Sequence, residues 1–304
     1  MPTSKSSATI SDAVSEATAS MGRPSGGAIP TAHIARKRFG QNFLHDPGVI
    51  ARIVAAIAPK SGDCMVEIGP GQAALTEPLL GLLDHLHVIE IDRDLAARLR
   101  ERFTSAQLTI HEQDVLKMDF MALSTALGAR LRVVGNLPYN ISSPILFHLL
   151  ESASVIQDQH VMLQKEVVDR MVAPCGSKIY GRLSVMLQAR YTLQRCLIVP
   201  PGAFHPAPKV DSAIVRMVPL ADHEVQVVDW VVFAAVVMTA FSQRRKMLRN
   251  TLAGVGEVID WERLGISPTQ RAEELSVATF IALANHIAER LPASGMAIGL
   301  RPMA

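Results

Sequence analysis

Short apolar segments alternate with helix-patterned segments over most of the chain, and this alternation limits the possible folds more than any other feature. The strand-like segments include CMVEIG (64–69), HVIEID (87–92) and LRVVGN (131–136). Between the first two, Leu75 and Leu79 recur at helical spacing. A chain that alternates in this way forms crossover connections and a mostly parallel sheet. Because ligands of such sheets bind at the carboxyl ends of the strands, we expect the functional residues there.

The same pattern divides the chain into four parts. Residues 1–33 are rich in Ser, Ala, Thr and Gly and carry few large apolar side chains, so we expect a disordered extension. Residues 34–218 carry the alternating pattern and form the predicted α/β domain. Residues 219–291 hold only helix-patterned segments, such as VQVVDWVVFAAVVMTAF, RRKMLRNTLAG and PTQRAEELS, and predict a small all-helical domain. Residues 292–304 are predicted to form a flexible tail.

Composition excludes several classes of protein. The formal net charge is only +2, so a nucleic-acid partner must be argued from local patches. The three cysteines form no C-x-x-C pair, which argues against a disulfide framework or a zinc site and fits a reducing cytoplasm. No apolar run reaches the roughly 18 residues of a membrane span, and no histidine spacing is typical of a metal site. We therefore expect a cytoplasmic protein with no metal and no membrane partner, and a monomer by default.

A glycine-containing turn follows the first strand, in VEIGPGQAALTEPLL. Gly69 and Gly71 let the backbone turn sharply and approach a ligand closely. Glu90 and Asp92 end the next strand about 20 residues further on, the distance at which an acid meets a ribose in dinucleotide-binding folds. By itself the pattern also fits a tight strand-to-helix turn. Ala74 stands where a third small residue is expected, so NAD is a second candidate ligand at this point.

The position of Glu67 favours a cationic ligand over a pyrophosphate. This residue lies inside the first strand, two positions before the first glycine, where its charge would oppose a phosphate. S-adenosylmethionine carries a sulfonium and an ammonium group and has no phosphate. Asp114, near the end of the third strand, could accept a hydrogen bond from an adenine amino group, although an acid in such a loop also forms an Asx turn. Together these residues favour S-adenosylmethionine over NAD.

The segment NLPYN ends the fourth strand and combines an amide, a rigid turn and an aromatic ring. The side-chain oxygen of Asn136 and the carbonyl of Leu137 could accept the two N–H groups of an aromatic amine and direct its lone pair at a methyl donor. Pro138 fixes the turn, and Tyr139 could stack on the base. The same residues also fit a strand-ending turn with a core tyrosine. Next to a methyl-donor site, however, they favour amine methylation.

Seven segments resemble the rRNA adenine N6-dimethyltransferases, in the same order along the chain. They are RKRFGQNFLHD, EIGPGQAALTEPL, VIEIDRD, GNLPYNISSPILFHLL, QKEVVDRM, FHPAPKVDSAIVRM and AFSQRRKMLRNTL. The similarity runs from about residue 33 to about residue 290 and is strongest to the bacterial small-subunit members. The resemblance implies a Rossmann-like, S-adenosylmethionine-dependent methyltransferase domain followed by a small all-helical C-terminal domain. It also implies N6-dimethylation of two adjacent adenosines near the 3′ end of 16S rRNA, within the 30S particle, during ribosome maturation.

The same resemblance assigns individual residues to the donor and to the target base. Glu90 would bind the ribose hydroxyls of the donor, and Asp114 its adenine amine. The residues expected around the donor are Asn42, Leu44, Gly69, Glu90, Asp114 and Asn136. The residues expected around the target base are Asn136, Leu137, Pro138, Tyr139 and, on the other face of the base, Phe204.

Basic side chains flank these motifs in three patches. The patches consist of Arg36, Lys37 and Arg38, then Lys209, and finally Arg244, Arg245, Lys246 and Arg249. We expect the last patch to occupy about two helical turns. A run of charge is often only a solvated surface, but three patches around one aromatic site fit a surface that follows an RNA backbone. The target base must also be unstacked to reach the tyrosine of NLPYN.

Other functions remain open on the sequence alone. The large-subunit rRNA adenine N6-methyltransferases of the macrolide-resistance type share the donor site and the N-x-P-Y segment. A non-catalytic RNA- or DNA-binding relative is disfavoured by the intact glycines together with Glu90, Asp114 and Asn136. A nicotinamide dehydrogenase is disfavoured by Glu67 and by the lack of a suitably placed acid–base histidine.

Overall fold

Nine strands form two sheets in the computed structural model, which describes residues 42–291. The strands are β1 (Phe43–Leu44), β2 (Met65–Ile68), β3 (Leu86–Ile89), β4 (Leu108–His111), β5 (Leu131–Asn136), β6 (Ile156–Gln164), β7 (Tyr191–Val199), β8 (Phe204–His205) and β9 (Ser212–Pro219). The larger sheet has seven strands in the order β4-β3-β2-β5-β6-β9-β7, and the smaller one pairs β1 with β8.

The larger sheet is parallel over most of its width. Strand β2 pairs in parallel with β3 and β5, β3 with β4, and β5 with β6. Only β9 is antiparallel to its neighbours β6 and β7. The mostly parallel sheet predicted from the alternation is therefore confirmed, and the carboxyl ends of β2, β3 and β5 meet at one edge.

Within residues 42–291, seven helices lie between the strands in sequence, and three follow the last strand. They are α1 (Pro47–Ile57), α2 (Thr76–Leu80), α3 (Arg93–Arg102), α4 (Phe120–Leu127), α5 (Ser142–Glu151), α6 (Lys165–Met171), α7 (Arg182–Gln188), α8 (Trp230–Ala240), α9 (Leu248–Thr251) and α10 (Val277–Arg290). Asp46 caps the first of them, since its carboxylate accepts a hydrogen bond from the Val49 amide at 2.9 Å. None of the described helices is both long and apolar enough to cross a bilayer.

Strand β5 approaches β2 closely at its functional end. Gly135 pairs with Ile68 across this boundary, and a Cβ atom at position 135 would collide with the carbonyl oxygen of Ile68. Only glycine therefore lets the two strands keep their spacing here. The close approach places the next residue, Asn136, directly beside the loop that follows β2.

Beyond β9, the described part of the chain contains helices and turns but no strands. Helices α8 and α10 pack together around buried side chains such as Phe233, Val236, Phe280 and Leu283. The same apolar cluster includes Val185 of α7, so this helical part is packed against an element that precedes β9. The cluster supplies the burial that short helices need in order to be stable.

Two of the predicted helices in this part differ from the structure. The segment PTQRAEELS forms only a short 3₁₀ turn at Ala272–Glu274, so that prediction is wrong. The segment RRKMLRNTLAG is helical only in part, since it holds the four-residue α9 and the first residues of a 3₁₀ helix, Ala253–Val258. Backbone bonds between the two segments replace helical ones, since Leu248 N–H donates to Gln270 O and Arg249 N–H to Pro268 O. Both segments are short, and tertiary pairing outweighs a weak helical preference.

Candidate active site

A cavity of about 300 Å³ opens at the carboxyl ends of the central strands. It is lined by the ends of β2, β3 and β5 and by the loops that follow them. Among the lining residues are Asn42, Leu44, Glu67, Gly69, Glu90, Asp114, Asn136, Leu137, Pro138 and Tyr139. The structure thus brings together, from segments far apart in sequence, every residue expected around the donor and all but Phe204 of those expected around the base.

The glycine turn after β2 has the backbone geometry that only glycine adopts easily. Gly69 has a φ of 67° and Gly71 a φ of 56°. A Cβ at position 71 would also lie 3.2 Å from the ring of Phe43, which β1 holds over the turn. The turn is therefore shaped by contact with the N-terminal segment as well as by its own backbone conformation.

Glu90 ties the glycine turn to the end of β3. One carboxylate oxygen accepts from the amide of Gly71 at 3.3 Å, and the other accepts from the amide of Asp92 at 2.9 Å. Burial raises the pKa of the Glu90 carboxyl, and these backbone hydrogen bonds act in the opposite direction. Because a carboxylate oxygen can accept more than one bond, both oxygens keep capacity for a ligand.

Glu67 is a fully buried carboxyl at the base of the cavity. It accepts a hydrogen bond from the Thr76 hydroxyl at 2.7 Å, and within residues 42–291 no lysine or arginine pairs with it. Burial raises its pKa to about 7, against the effect of the Thr76 bond and with a further contribution from the charge of Glu90. A buried acid without a cationic partner favours a positively charged ligand.

Replacing Glu67 by Gln is expected to stabilise the ligand-free protein increasingly as the pH rises from 5 to 8. The folded protein keeps the Glu67 proton up to about pH 7, whereas the unfolded chain releases it near the ordinary pKa of 4.5. Folding therefore takes up a proton between these values, and the free energy of unfolding falls as pH rises through this window. Melting temperatures of both proteins at several pH values measure the effect, and a pH-independent difference would contradict it.

Asn136 has a fixed amide orientation at the end of β5. Its side-chain nitrogen donates to the carbonyl oxygen of Asn42 at 2.9 Å. Because that carbonyl can only accept, the nitrogen must face it, and the side-chain oxygen of Asn136 is left as an acceptor for another group. The amide of Leu137 donates to Met162 O at 3.1 Å, which fixes the next peptide unit too.

Tyr139 lies on a 3₁₀ turn, Tyr139–Ile141, directly after Pro138. The Ser142 hydroxyl donates to the backbone carbonyl of Tyr139 at 3.2 Å. The phenol oxygen forms a hydrogen bond of 2.6 Å with the hydroxyl of Ser212, at the start of β9. The sequence analysis did not identify Ser212 as a site residue, although Ser212 lies within the family segment FHPAPKVDSAIVRM.

Asp114 caps the 3₁₀ turn that follows β4. One of its oxygens accepts from the amide of Leu116 at 3.0 Å, so the Asx-turn alternative is present in the structure. The residue also lines the cavity, as do Gln113 and Ile91. Its second oxygen is therefore placed to accept from a ligand as well.

Phe204 is only 3% exposed and packs in the core beside Leu44, its partner across the β1–β8 pair. It does not line the cavity, so contact with a base would require its ring to move. Lys209 is exposed in the turn that precedes β9. The positions of both residues leave their assignment to the target base and RNA a prediction.

The basic patch expected on two helical turns has a different geometry. Arg244, Arg245 and Lys246 lie in turns between α8 and α9, and only Arg249 is helical. The guanidinium of Arg244 pairs with Glu273 at 2.9 Å and also donates to the carbonyl of Lys178. Its charge is thus partly neutralised, whereas the other three side chains are exposed or partly exposed. The patch at Arg36, Lys37 and Arg38 lies outside the described residues.

Metal ligands do not cluster in the described part of the chain. Within residues 42–291 no three His, Cys, Asp or Glu side chains come together as a metal-binding group. The side chains that line the cavity are instead acids, amides and apolar groups.

Comparison with known proteins identifies the family. Residues 32–289 match the family described as ribosomal RNA adenine dimethylase. The chain is 57% identical over 260 residues to ribosomal RNA small subunit methyltransferase A of Aromatoleum aromaticum, covering 86% of this chain and 97% of the relative. It is 58% identical over 251 residues to the protein of the same name from Bordetella petrii, covering 83% and 94%.

Two solved structures share the fold. A dimethyladenosine transferase from Plasmodium falciparum matches with a TM-score of 0.68 and 25% identity, over 81% of this chain and 97% of that one. The 23S rRNA methyltransferase ErmE shares the fold, with a TM-score of 0.61 and 23% identity, over 81% and 100% of the two chains. The sequence match covers most of the chain and includes the strand-end residues that line the cavity. The chain therefore belongs to the ribosomal RNA adenine dimethylase family.

Proposed function

We propose that the protein transfers methyl groups from S-adenosylmethionine to N6 of two adjacent adenosines near the 3′ end of small-subunit rRNA. The observation that carries this proposal is the fixed amide of Asn136, whose oxygen is left as an acceptor beside a cavity lined by Glu67, Glu90 and Asp114. The small-subunit relatives, 52% to 58% identical, support the choice of rRNA. The substrate would be the 30S ribosomal particle or its precursor.

The acids and the glycine turn fit S-adenosylmethionine. This compound supplies an electrophilic methyl group on a positively charged sulfur. Glu67, which no cation within residues 42–291 neutralises, would favour its positive charge. Glu90 would accept from the ribose hydroxyls, and Asp114 from the adenine amine. Gly69 and Gly71 adopt the positive φ angles of this turn, which other residues rarely adopt.

The end of β5 would hold the target amine. The oxygen of Asn136 and the carbonyl of Leu137 would accept its two N–H groups, which directs the nitrogen lone pair at the methyl group. Tyr139 would stack on the base and fix its plane. A methylated aryl amine loses its extra proton readily to water, so no residue is assigned as a general base. Catalysis would rest on positioning and on the cancellation of charge.

Exposed basic residues would bind the RNA backbone. In the patch between α8 and α9, Arg245 and Lys246 are exposed and are the strongest candidates for phosphate contacts. Arg244 would act mainly by holding the loop around Lys178 through their hydrogen bond. Binding to phosphates would set the register of the RNA and give salt-dependent affinity.

Replacing Arg245 and Lys246 together by Ala is expected to weaken RNA binding and to flatten its dependence on salt. Each lost phosphate contact lowers the slope of log affinity against log salt by roughly 1. Binding to small-subunit RNA over a range of salt concentrations measures the slope. Lys60→Ala removes an exposed lysine near the amino end of β2 and serves as the control. An unchanged slope in the double variant would mean that this patch is only solvated surface.

A methyl-transfer assay tests the proposed function. Isolated small subunits that lack the two dimethyladenosines are expected to accept radiolabelled methyl groups, and large subunits are not. Labelling of large subunits alone would favour the macrolide-resistance activity instead. Failure to bind S-adenosylmethionine in calorimetry, with RNA binding retained, would favour a non-catalytic relative. We further infer that the protein acts as a monomer in the cytoplasm, where its substrate is assembled.

A further inference from the structure

We propose that Ser212 is a positioning residue for this reaction, since its hydroxyl holds the phenol oxygen of Tyr139 and so fixes where the ring lies for stacking on the target base. The proposal rests on the proposed function and adds a residue that acts through Tyr139 rather than on the substrate. The two hydroxyl oxygens are 2.6 Å apart and belong to residues 73 positions apart in the chain.

Ser212 is well placed to serve as a rigid anchor. It is the first residue of β9, its side chain is fully buried, and it is flanked by strands on both sides. Gln164 of β6 and Val199 of β7 are its cross-strand partners. A hydroxyl at such a position has little freedom to move, so a group bonded to it is held in a defined place.

Tyr139, in contrast, needs an anchor. It lies on a short 3₁₀ turn outside the sheet, and its side chain is only partly buried. Pro138 and the Ser142 hydroxyl restrain its backbone, but neither fixes the position of the ring. The phenol oxygen lies on the axis of the second side-chain torsion, so its bond to Ser212 fixes the first torsion and with it the place of the ring. A stacking ring that is held before the base arrives loses less entropy when the base binds.

The phenol oxygen serves here as a hydrogen-bonding group and not as a base. Burial raises the pKa of the Tyr139 hydroxyl, against the effect of the Ser212 bond, so the phenol stays protonated at neutral pH. Either hydroxyl can donate in this pair. Removing one of them takes away this restraint on the first side-chain torsion of Tyr139.

A double-mutant cycle with Ser212→Ala and Tyr139→Phe tests the proposal. Each single variant removes the same hydrogen bond and is expected to lower kcat for small-subunit methylation about tenfold, the effect of one such bond. The double variant should be no slower than the slower single variant, because the bond can be lost only once. The KM for S-adenosylmethionine should stay within about twofold, since neither hydroxyl is assigned to the donor.

Several results would overturn this assignment. Additive losses in the cycle would mean that the two hydroxyls act independently. A wild-type kcat in the Ser212→Ala variant would show that Ser212 has no positioning role. A fall in donor affinity as large as the fall in kcat would indicate a general structural defect. Tyr139→Phe keeps the buried serine and so still tests the bond if Ser212→Ala does not fold. Wild-type protein that fails to methylate small subunits would instead refute the proposed function itself.

Discussion

Replacing Asn136 by Ala is expected to lower the rate of methyl transfer by at least about 100-fold, the effect of removing one preorganised polar group from an active site. The amide oxygen would no longer accept from the target amine, whose lone pair would then stay conjugated with the ring. The affinity for S-adenosylmethionine should fall much less, because Glu67, Glu90 and Asp114 remain. Single-turnover methylation and calorimetric titration with the donor measure the two effects separately.

Asn285→Ala is a matched control for this experiment. The Asn285 side chain is likewise bonded to backbone groups, accepting from Val228 N–H at 3.0 Å and donating to Gln226 O at 2.7 Å, but it lies in the helical part. Its loss should cost some stability and leave the methylation rate unchanged. Equal losses of rate and donor affinity in Asn136→Ala would reject the division of labour proposed here.

Replacing Arg132 by Met is expected to destabilise the protein by about 3 to 5 kcal/mol, the usual effect of breaking a buried ion pair. Arg132 is buried in β5, and its guanidinium donates two bonds of 2.9 Å to Asp158 of β6. It also donates to Asp63 and to the carbonyls of Ile57 and Ala58. The substitution would leave the buried Asp158 carboxylate and the Ile57 carbonyl without this donor, and would remove one donor each from Asp63 and Ala58.

Arg130→Met is the control, because it removes a neighbouring exposed arginine and leaves the buried ion pair of Arg132 in place. Arg130 is exposed, and its guanidinium donates one bond of 2.6 Å to the carbonyl of Ile156. Its replacement should cost about 1 kcal/mol or less. Urea unfolding of the two variants at neutral pH measures the difference. Losses of similar size would show that the network around Arg132 contributes little to stability.

Local sequence was enough to predict the sheet and the positions of the strand ends. The predicted segments CMVEIG, HVIEID and LRVVGN are short and apolar and end in glycine, acid or asparagine, and each overlaps a strand at the centre of the sheet, β2, β3 or β5. Because parallel strands present their carboxyl ends at one edge, Gly69, Glu90 and Asn136 could be expected to meet before their contacts were known. The family resemblance added Asn42 and Leu44, which no periodicity indicates.

Prediction was poorest where local preference is weak. The segments around Leu248 and Ala272 have helical spacing, yet they form mainly turns because backbone bonds join them across the chain. Phe204 has an aromatic ring that could stack on a base, but pairing of β8 with β1 buries it in the core. In both cases the local structure depends on contacts with a segment that is distant in sequence. Such contacts cannot be predicted from the residues of one segment alone.

The sequence by itself determined which chemical groups stand at the strand ends, because hydrophobic periodicity and glycine placement act over a few neighbouring residues. Only the tertiary structure decided how those groups are oriented. A hydrogen bond to the carbonyl of Asn42, 94 positions away, orients the Asn136 amide. A hydrogen bond to Ser212, 73 positions away, holds the Tyr139 side chain. A hydrogen bond needs its partners within about 3 Å, and for residues so far apart in sequence, only the folded chain sets that distance.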